Sequence, residues 1–237
     1  MSNSPLATVK VPAHTSNFSG FGCRKKITNV CLHHMAGVLT AKQCGSIFAK
    51  AGRNGSAHYG VGCDGKIGLY VDEKNVAWHA GNWPENQCSV GIEISNSALG
   101  GKWPVSDKTL KAAIPLIADI MKRNGIKEAV KGKTVTWHSM YSATACPGDY
   151  LRSKMTYICN EVNKILKAPA KTTTGVKQGD KVKTTAYYDV YGVRLNRKII
   201  NDGNSVWKKT DNHGKHAWLY KGNTLRCIVK VDSLKKV

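Results

Sequence analysis

The sequence predicts an α/β domain followed by a small all-β domain, and three observations lead to this fold class. Apolar strand patterns alternate with helical patterns as far as residue 167, which is typical of a sheet covered by helices. Residues 168–178 are rich in Pro, Ala, Thr and Lys and indicate a linker. Residues 179–237 contain short apolar-alternating runs separated by Gly, Asn and Asp. Such runs favour a small barrel. The predicted domains are therefore residues 1–167 and 179–237.

The α/β domain begins with a predicted strand, a short helix and a hairpin. Residues 27–37 are apolar and end at a glycine, which predicts a buried strand that runs into a turn. Thr40 is a suitable N-cap for a short helix that Gly52 would end. Residues 56–71 predict two strands joined by an Asp-Gly turn, the strongest hairpin signal in the chain.

The second half of this domain continues the alternation. Residues 89–96 form a short apolar run that predicts a strand. Ser106 or Asp107 would cap a long amphipathic helix that ends at Gly125, and Pro115 within it predicts either a kink or a later start. The last predicted elements are a strand in residues 132–139 and an amphipathic helix in residues 149–167, just after Pro147.

The composition excludes several classes of protein. The 237 residues hold 36 Lys and Arg against 15 Asp and Glu, a net charge of +21, so a polyanionic partner is expected. No zinc-finger, helix-turn-helix or RNP-like pattern accompanies this charge, so nucleic-acid binding rests on charge alone. No run of eighteen apolar residues could span a bilayer. The N-terminus lacks the apolar core of a secretory signal, so synthesis in the cytoplasm is expected.

The cysteines and histidines supply candidate metal ligands. The eight cysteines form no CxxC pair, and we expect reduced, mostly buried thiols. His138 and Cys146 lie eight residues apart around a short loop that could bring both side chains to one metal ion. A third ligand would come from His33 or His34, at the end of the first predicted strand. Two imidazoles and a thiolate suit zinc, and three protein ligands leave a position open for water.

One acidic residue also attracts attention. Glu93 lies among apolar residues of a short predicted strand, where a carboxylate is costly unless it is paired or functional. Burial would raise its pKa into the range that a general base uses at neutral pH. A satisfied structural carboxylate remains the alternative.

Five segments, in this order, resemble a known family. They are HHMAG at 33–37, SAHY at 56–59, AWHAGN at 77–82, VGIEISN at 90–96 and WHSMYSATACPG at 137–148. Similar segments occur in the zinc-dependent N-acetylmuramoyl-L-alanine amidases. The resemblance is to the type shared by bacteriophage endolysins, bacterial autolysins and peptidoglycan recognition proteins. It covers roughly residues 20–166.

The resemblance implies a central mixed β-sheet flanked by helices and a set of site residues. His33, His138 and Cys146 match the Zn²⁺ ligands, and Glu93 matches the catalytic carboxylate. Thr144 stands where many relatives have a Lys that polarises the substrate carbonyl, so it offers a hydrogen bond without the charge. The residues expected to line the substrate groove are His79, Asn96, Tyr59 and Trp78; the alternatives are that Tyr59 faces the core and that His79 belongs to a packed aromatic turn.

The implied function is that of an endolysin, a peptidoglycan hydrolase that cuts the amide between N-acetylmuramic acid and L-alanine and lyses the cell. Such a protein would stay in the host bacterial cytoplasm until lysis and then act at the cell wall, with peptidoglycan and anionic teichoic acid as partners. A non-catalytic peptidoglycan recognition protein and a bacterial autolysin are the alternatives. The C-terminal domain resembles bacterial SH3-type wall-binding domains; its candidate ligand contacts, which could equally fill the barrel, are Tyr187, Tyr188, Tyr191, Trp207 and Trp218.

Overall fold

The computed structural model divides the chain into two compact units, Met1–Lys167 and Ala168–Val237. The structure describes residues 2–20 and 22–167 of the first unit and five strands of the second. The predicted linker, residues 168–178, lies outside the described residues, as do Tyr187, Tyr188 and Tyr191.

The first unit contains eight strands and four α-helices among its described residues. The strands are β1 (Val9–Lys10), β2 (Phe18–Ser19), β3 (Asn29–His34), β4 (Tyr59–Val61), β5 (Ile67–Leu69), β6 (Val76–Ala77), β7 (Ser89–Ile94) and β8 (Val135–Trp137). The helices are α1 (Ala41–Phe48), α2 (Trp83–Cys88), α3 (Asp107–Arg123) and α4 (Gly148–Lys167).

Six of these strands form one sheet in the order β1-β5-β4-β7-β3-β8. β3 lies between β7 and β8 and is parallel to both, and β4 is parallel to β7. β5 is antiparallel to β4 and parallel to β1. The described part of the first unit therefore confirms the predicted α/β class with a central mixed sheet and flanking helices.

The alternation of side chains gives the two faces of the central strands different chemistry. Val30, Leu32 and Ile92 are fully buried in the main apolar core, to which α3 and α4 contribute their apolar sides. Because side chains alternate along a strand, His33 and Glu93 point to the opposite face. These two residues are register partners on the neighbouring strands β3 and β7. The sheet thus places one imidazole and one carboxylate side by side, away from the main core.

A smaller apolar cluster lies between α1 and the β4–β5 hairpin, and Tyr70 fills it. The Tyr70 hydroxyl donates a hydrogen bond of 2.6 Å to the Ala41 carbonyl at the start of α1. A β-carbon at Gly45, Gly60 or Gly68 would come within 2.7 Å of the Tyr70 side chain. These three glycines therefore let the helix and the hairpin close on the ring.

Most predicted element boundaries agree with the structure. Thr40 caps α1 and forms a capping box with Gln43, but the helix ends at Phe48, earlier than predicted, and Gly52 occupies a left-handed turn beyond it. Ser106 caps α3. The helix continues through Pro115, so the alternative of a later start is wrong.

The short strands β1, β2 and β6 and the helix α2 are not among the elements predicted from the sequence. Asn82 caps this helix by accepting a hydrogen bond from the Glu85 backbone N–H, and Pro84 occupies its first turn. Asn followed by Pro at this spacing is a helix-start signal that could have been recognised.

The described strands of the second unit form a five-stranded antiparallel sheet. They are β9 (Lys181–Thr184), β10 (Ser205–Thr210), β11 (His216–Lys221), β12 (Thr224–Lys230) and β13 (Leu234–Lys236), in the order β12-β11-β10-β9-β13. Leu219 and Val229 are fully buried, and Trp218 is half-buried.

Two further predictions concern the described residues as a whole. The side chains of seven of the eight cysteines are described, and all seven are free thiols, as expected; only Cys31, Cys44 and Cys159 are fully buried, so the expectation that most of them are buried is wrong. Among the described helices, none combines the length and the apolar character that a bilayer-spanning segment needs.

Candidate active site

Three parallel strands bring the candidate residues to one edge of the sheet. His33 lies near the carboxyl end of β3 and Glu93 near that of β7. His138 follows β8 directly and opens a short 3₁₀ helix, His138–Met140. Because parallel strands share their direction, these residues meet where the strands end, which is the usual position of ligand sites in such sheets. Cys146 reaches the same place from the loop before α4.

His33, His138 and Cys146 form a compact set of possible metal ligands. One donor atom from each residue lies within 4.8 Å of the others. Cys146 Sγ is 3.7 Å from His33 Nδ1, and the rings of His33 and His138 are 4.6 Å apart between centroids. His34 does not join the set; its ring packs edge-on against Trp103. Two imidazole nitrogens and one sulfur make up this group among the described residues, and three protein ligands fit a tetrahedral ion with one open position.

Burial sets the protonation of these groups in the metal-free chain. It lowers the pKa of His33 well below the usual range, with the neighbouring histidines adding to the effect, and it lowers the pKa of His138. Both imidazoles are therefore neutral and can offer lone pairs. Burial, with a contribution from the charge of Glu93, raises the pKa of the Cys146 thiol. That thiol keeps its proton until a cation displaces it.

Glu93 has the properties of a proton acceptor. Its Oε2 atom is buried and has no hydrogen-bond partner among the described residues. Burial raises the pKa of its carboxyl group to about 8, although Arg53 opposes the shift. A carboxylate without fixed partners and with raised basicity suits general acid–base chemistry near neutral pH.

A cleft of about 590 Å³ opens above these groups. His33, Glu93, His138, Thr144 and Cys146 all line it. The other lining side chains include apolar and aromatic groups and one cation, together with a few uncharged polar groups; among them are Leu39, Ile47, Phe48, Arg53, Trp78 and Trp103. A concave site that combines apolar walls with a few converging polar groups is typical of an active site.

Thr144 lies within the cleft beside the ligand set. Its Oγ1 accepts a hydrogen bond of 3.2 Å from the Cys146 backbone N–H. Because a hydroxyl both accepts and donates, Thr144 keeps its own proton available for a partner in the cleft.

Two residues predicted to bind substrate do not lie in the cleft. Tyr59 is fully buried, and its hydroxyl donates to Glu73 at 2.6 Å and accepts from the Ser4 backbone. Asn96 is 1% exposed, and its amide accepts from the Gly37 N–H and donates to the Trp103 carbonyl. Neither residue lines the cleft, so the structure lends no support to a substrate role for either. The polar ends of these side chains bind the protein's own backbone or a structural carboxylate.

The other two predicted substrate residues both border the cleft, but in different ways. Trp78 lines it and is half-buried, with its indole N–H donating to Ser19 Oγ at 2.9 Å. His79 also borders the cleft but is only 6% exposed. Both of its ring nitrogens are within hydrogen-bond distance of protein atoms, His33 Nε2 and Ser89 Oγ. Neither nitrogen is therefore free to bind a substrate.

Sequence reasoning missed two cleft residues. Arg53 lines the cleft and has no ion-pair partner within the described part of the chain. Trp103 has a left-handed backbone, with φ of 53°, and contacts His34. The Gly-Gly pair before Trp103 marks an irregular loop, but nothing in the sequence says that the loop folds back over the cleft.

Comparisons with solved structures show the fold of the first unit. The chain is similar to a mutant endolysin from Bacillus subtilis, with 22% identity and a TM-score of 0.54 over 65% of this chain and 97% of that one. It is also similar to the amidase LysCS from Clostridium intestinale, with 20% identity and a TM-score of 0.51 over 68% and 99% of the two chains. The catalytic domain of PlyG matches with 19% identity and a TM-score of 0.55 over 69% and 97%.

A comparison with curated protein sequences finds no match. The family profile of N-acetylmuramoyl-L-alanine amidases, in contrast, matches residues 24–149, more than half of the chain. This segment contains every residue of the ligand set as well as Glu93 and Thr144. The chain therefore belongs to the N-acetylmuramoyl-L-alanine amidase family, and it is an enzyme that hydrolyses peptidoglycan.

Proposed function

We propose that the chain is a zinc-dependent endolysin in which His33, His138 and Cys146 hold the metal ion and Glu93 moves the proton. The clustering of these three donor atoms within 4.8 Å of one another, at the base of the cleft, carries the proposal. The donor set suits Zn²⁺ better than Mg²⁺ or Ca²⁺, which prefer oxygen ligands. When bound, zinc supplies a positive charge that acidifies water and polarises a carbonyl group.

The side chains around the ligand set account for the other steps of amide hydrolysis, namely proton transfer, stabilisation of the carbonyl oxygen and binding of the substrate. Glu93 accepts a proton from the attacking water at its unpartnered Oε2 and then delivers it to the leaving amine of L-alanine. Thr144 donates a hydrogen bond to the carbonyl oxygen as that atom gains charge. The apolar walls of the cleft, with Trp78 and Trp103, hold the sugar and peptide parts of the substrate beside the reacting groups.

Changes to the ligands test the metal site. We expect His33→Ala, His138→Ala and Cys146→Ser each to abolish wall hydrolysis and to reduce the zinc content measured by mass spectrometry, because each removes one of three protein ligands. His14→Ala and Cys63→Ser are matched controls, since neither residue lines the cleft. Zinc content that stays at one equivalent in all three ligand variants would contradict the proposed ligand set.

We also propose that residues 179–237 form an SH3-like domain that binds the cell wall. The five-stranded antiparallel sheet supports this, because it is the number of strands that a small barrel needs. The charge supports an anionic ligand such as teichoic acid, since residues 176–237 alone carry a net +9. Two of the solved structures that resemble the first unit are named as endolysins, which favours an endolysin over an autolysin.

A further inference from the structure

A chain of hydrogen bonds runs from His33 away from the cleft into the protein. His33 Nε2 is 3.1 Å from His79 Nδ1. His79 Nε2 is 3.2 Å from Ser89 Oγ, which is 2.7 Å from the Glu85 carbonyl oxygen. His33, His79 and Ser89 are 2%, 6% and 0% exposed. The four residues therefore form one continuous buried path.

The Glu85 carbonyl oxygen, at the end of this path, determines which atom donates in each of its hydrogen bonds. The Glu85 carbonyl can only accept, so Ser89 must donate its hydroxyl proton to it and accept from His79 Nε2–H. A neutral imidazole carries one proton, so His79 Nδ1 holds a lone pair and accepts from His33 Nε2–H. His33 Nδ1 is then left with its lone pair, and this is the nitrogen that faces Cys146 Sγ at 3.7 Å.

The backbone of β7 is shaped to hold the His79 ring in place. A β-carbon at Gly91 would come within 2.5 to 2.9 Å of three atoms of this ring, closer than any real contact allows. Gly91 faces the same side of the sheet as Ser89 and Glu93, two positions away in each direction. Because Gly91 has no side chain, the His79 ring can occupy this space and reach His33.

We propose that His79 is a positioning residue: with Ser89, it fixes the tautomer and the ring orientation of His33 so that Nδ1 presents a lone pair to the metal site. This inference rests on the proposed function. Hydrogen-bonding partners of a metal-binding histidine typically change metal affinity roughly 10- to 100-fold when they are removed. His79 thus contributes to the site through His33, without touching substrate or metal.

The tautomers can be observed directly in the metal-free wild-type protein. Long-range ¹H–¹⁵N spectra of histidine-labelled protein distinguish an Nε2–H imidazole from an Nδ1–H imidazole. We expect both His33 and His79 to be in the Nε2–H form. An Nδ1–H tautomer at either ring would overturn the inference, and this result does not depend on any variant or on zinc binding.

Variants then measure the effect on the metal. We expect His79→Leu, which fills the space without an acceptor, and Gly91→Ala, which displaces the ring, each to weaken zinc binding roughly 10- to 100-fold in competition with a chelator. His79→Asn should recover most of the affinity, since its amide oxygen can accept where Nδ1 did. In the cobalt-substituted protein, the thiolate charge-transfer band should shift in His79→Leu and stay near the wild-type position in His79→Asn.

A control separates loss of positioning from general loss of stability. Glu73→Gln changes another fully buried polar residue, whose partners Tyr59 and Arg123 do not line the cleft. We expect it to lower the unfolding temperature and leave zinc affinity unchanged. If the wild type binds zinc and folded His79→Leu binds it equally well, the inference is wrong while the proposed function stands. If the wild type binds no zinc, the proposed function fails instead.

Discussion

The chemistry of the site depends on single residues whose surroundings differ from those of ordinary surface groups. Glu93 is the clearest case, because its Oε2 is buried with no hydrogen-bond partner among the residues that the structure describes, and the pKa of its carboxyl group rises to about 8. A protein that kept such a group for structure would have paired it. The unpaired atom is explained if its partner is the substrate water.

We predict that Glu93→Gln binds zinc normally but loses most of its turnover, by a factor of about 10² to 10⁴, because the amide cannot accept a proton. Zinc content and the rate on purified peptidoglycan, measured on the same sample, check this. Gln is close in size and Glu93 is not in the ligand set, so loss of zinc is not expected. Unchanged kinetics would mean that another group is the base.

At the scale of the elements, an ion pair with a buried carboxylate links the end of α3 to the central sheet. Glu73 is fully buried, and its carboxylate receives hydrogen bonds of 2.6 and 3.0 Å from Arg123 at the end of α3. It also accepts from Tyr59 on β4. This carboxylate therefore joins a helix to the central sheet, outside the cleft.

We predict that Glu73→Gln lowers the free energy of unfolding by about 3 kcal/mol, since Arg123 would lose a buried counter-ion and keep only Asp119. Thermal and denaturant unfolding measure the change. The rate per folded molecule should stay near the wild-type value, because neither Glu73 nor Arg123 lines the cleft. A loss of turnover in the fully folded variant would show that the Glu73–Arg123 pair does affect the active site.

Much of the fold and part of the site could be predicted from sequence because their signals are local. Thr40, Ser106 and the Asp-Gly turn act on residues a few positions away, and each is found where predicted. The spacing pairs His138 with Cys146 and leaves His33 or His34 as the third ligand, and the family resemblance then selects His33. The local pattern does not reveal that His33 and Cys146, 113 residues apart, come within 3.7 Å.

Prediction from sequence is weakest where the role of a side chain depends on contacts between distant segments of the chain. Tyr59 and Asn96 have side chains that suit a substrate groove, and only the packing shows that Glu73 and the Gly37 backbone occupy their polar atoms. Gly91 is a second example, because only the structure shows that the ring of His79 lies against this glycine.

At the scale of the whole molecule, the charge is spread over both parts of the chain. The net +21 divides into +12 for residues 1–175 and +9 for residues 176–237. Attraction between such charges and a polyanionic wall is long-range and is screened by salt, with a Debye length of about 10 Å at 0.1 M. The chemistry at the buried ligand set is far less sensitive to screening.

We predict that binding to purified cell walls weakens steeply between about 50 and 500 mM NaCl, whereas hydrolysis of a small soluble muropeptide changes little. Sedimentation with walls and chromatography of the muropeptide measure the two quantities in the same buffers. Residues 1–167 alone should bind walls less tightly than the full chain at every salt concentration. If binding and hydrolysis fell together, the charge would belong to the active site.

In the proposed function, a metal ion held by His33, His138 and Cys146 enables the chain to cut the bond before L-alanine. Mass spectrometry of peptidoglycan digested by the wild-type protein tests this. The digests are made with the protein as purified, after complete removal of metal, and after addition of zinc. We predict new L-alanine amino termini that disappear with the metal and return with zinc. The same products after complete removal of metal, or new reducing sugar ends in their place, would contradict the claim.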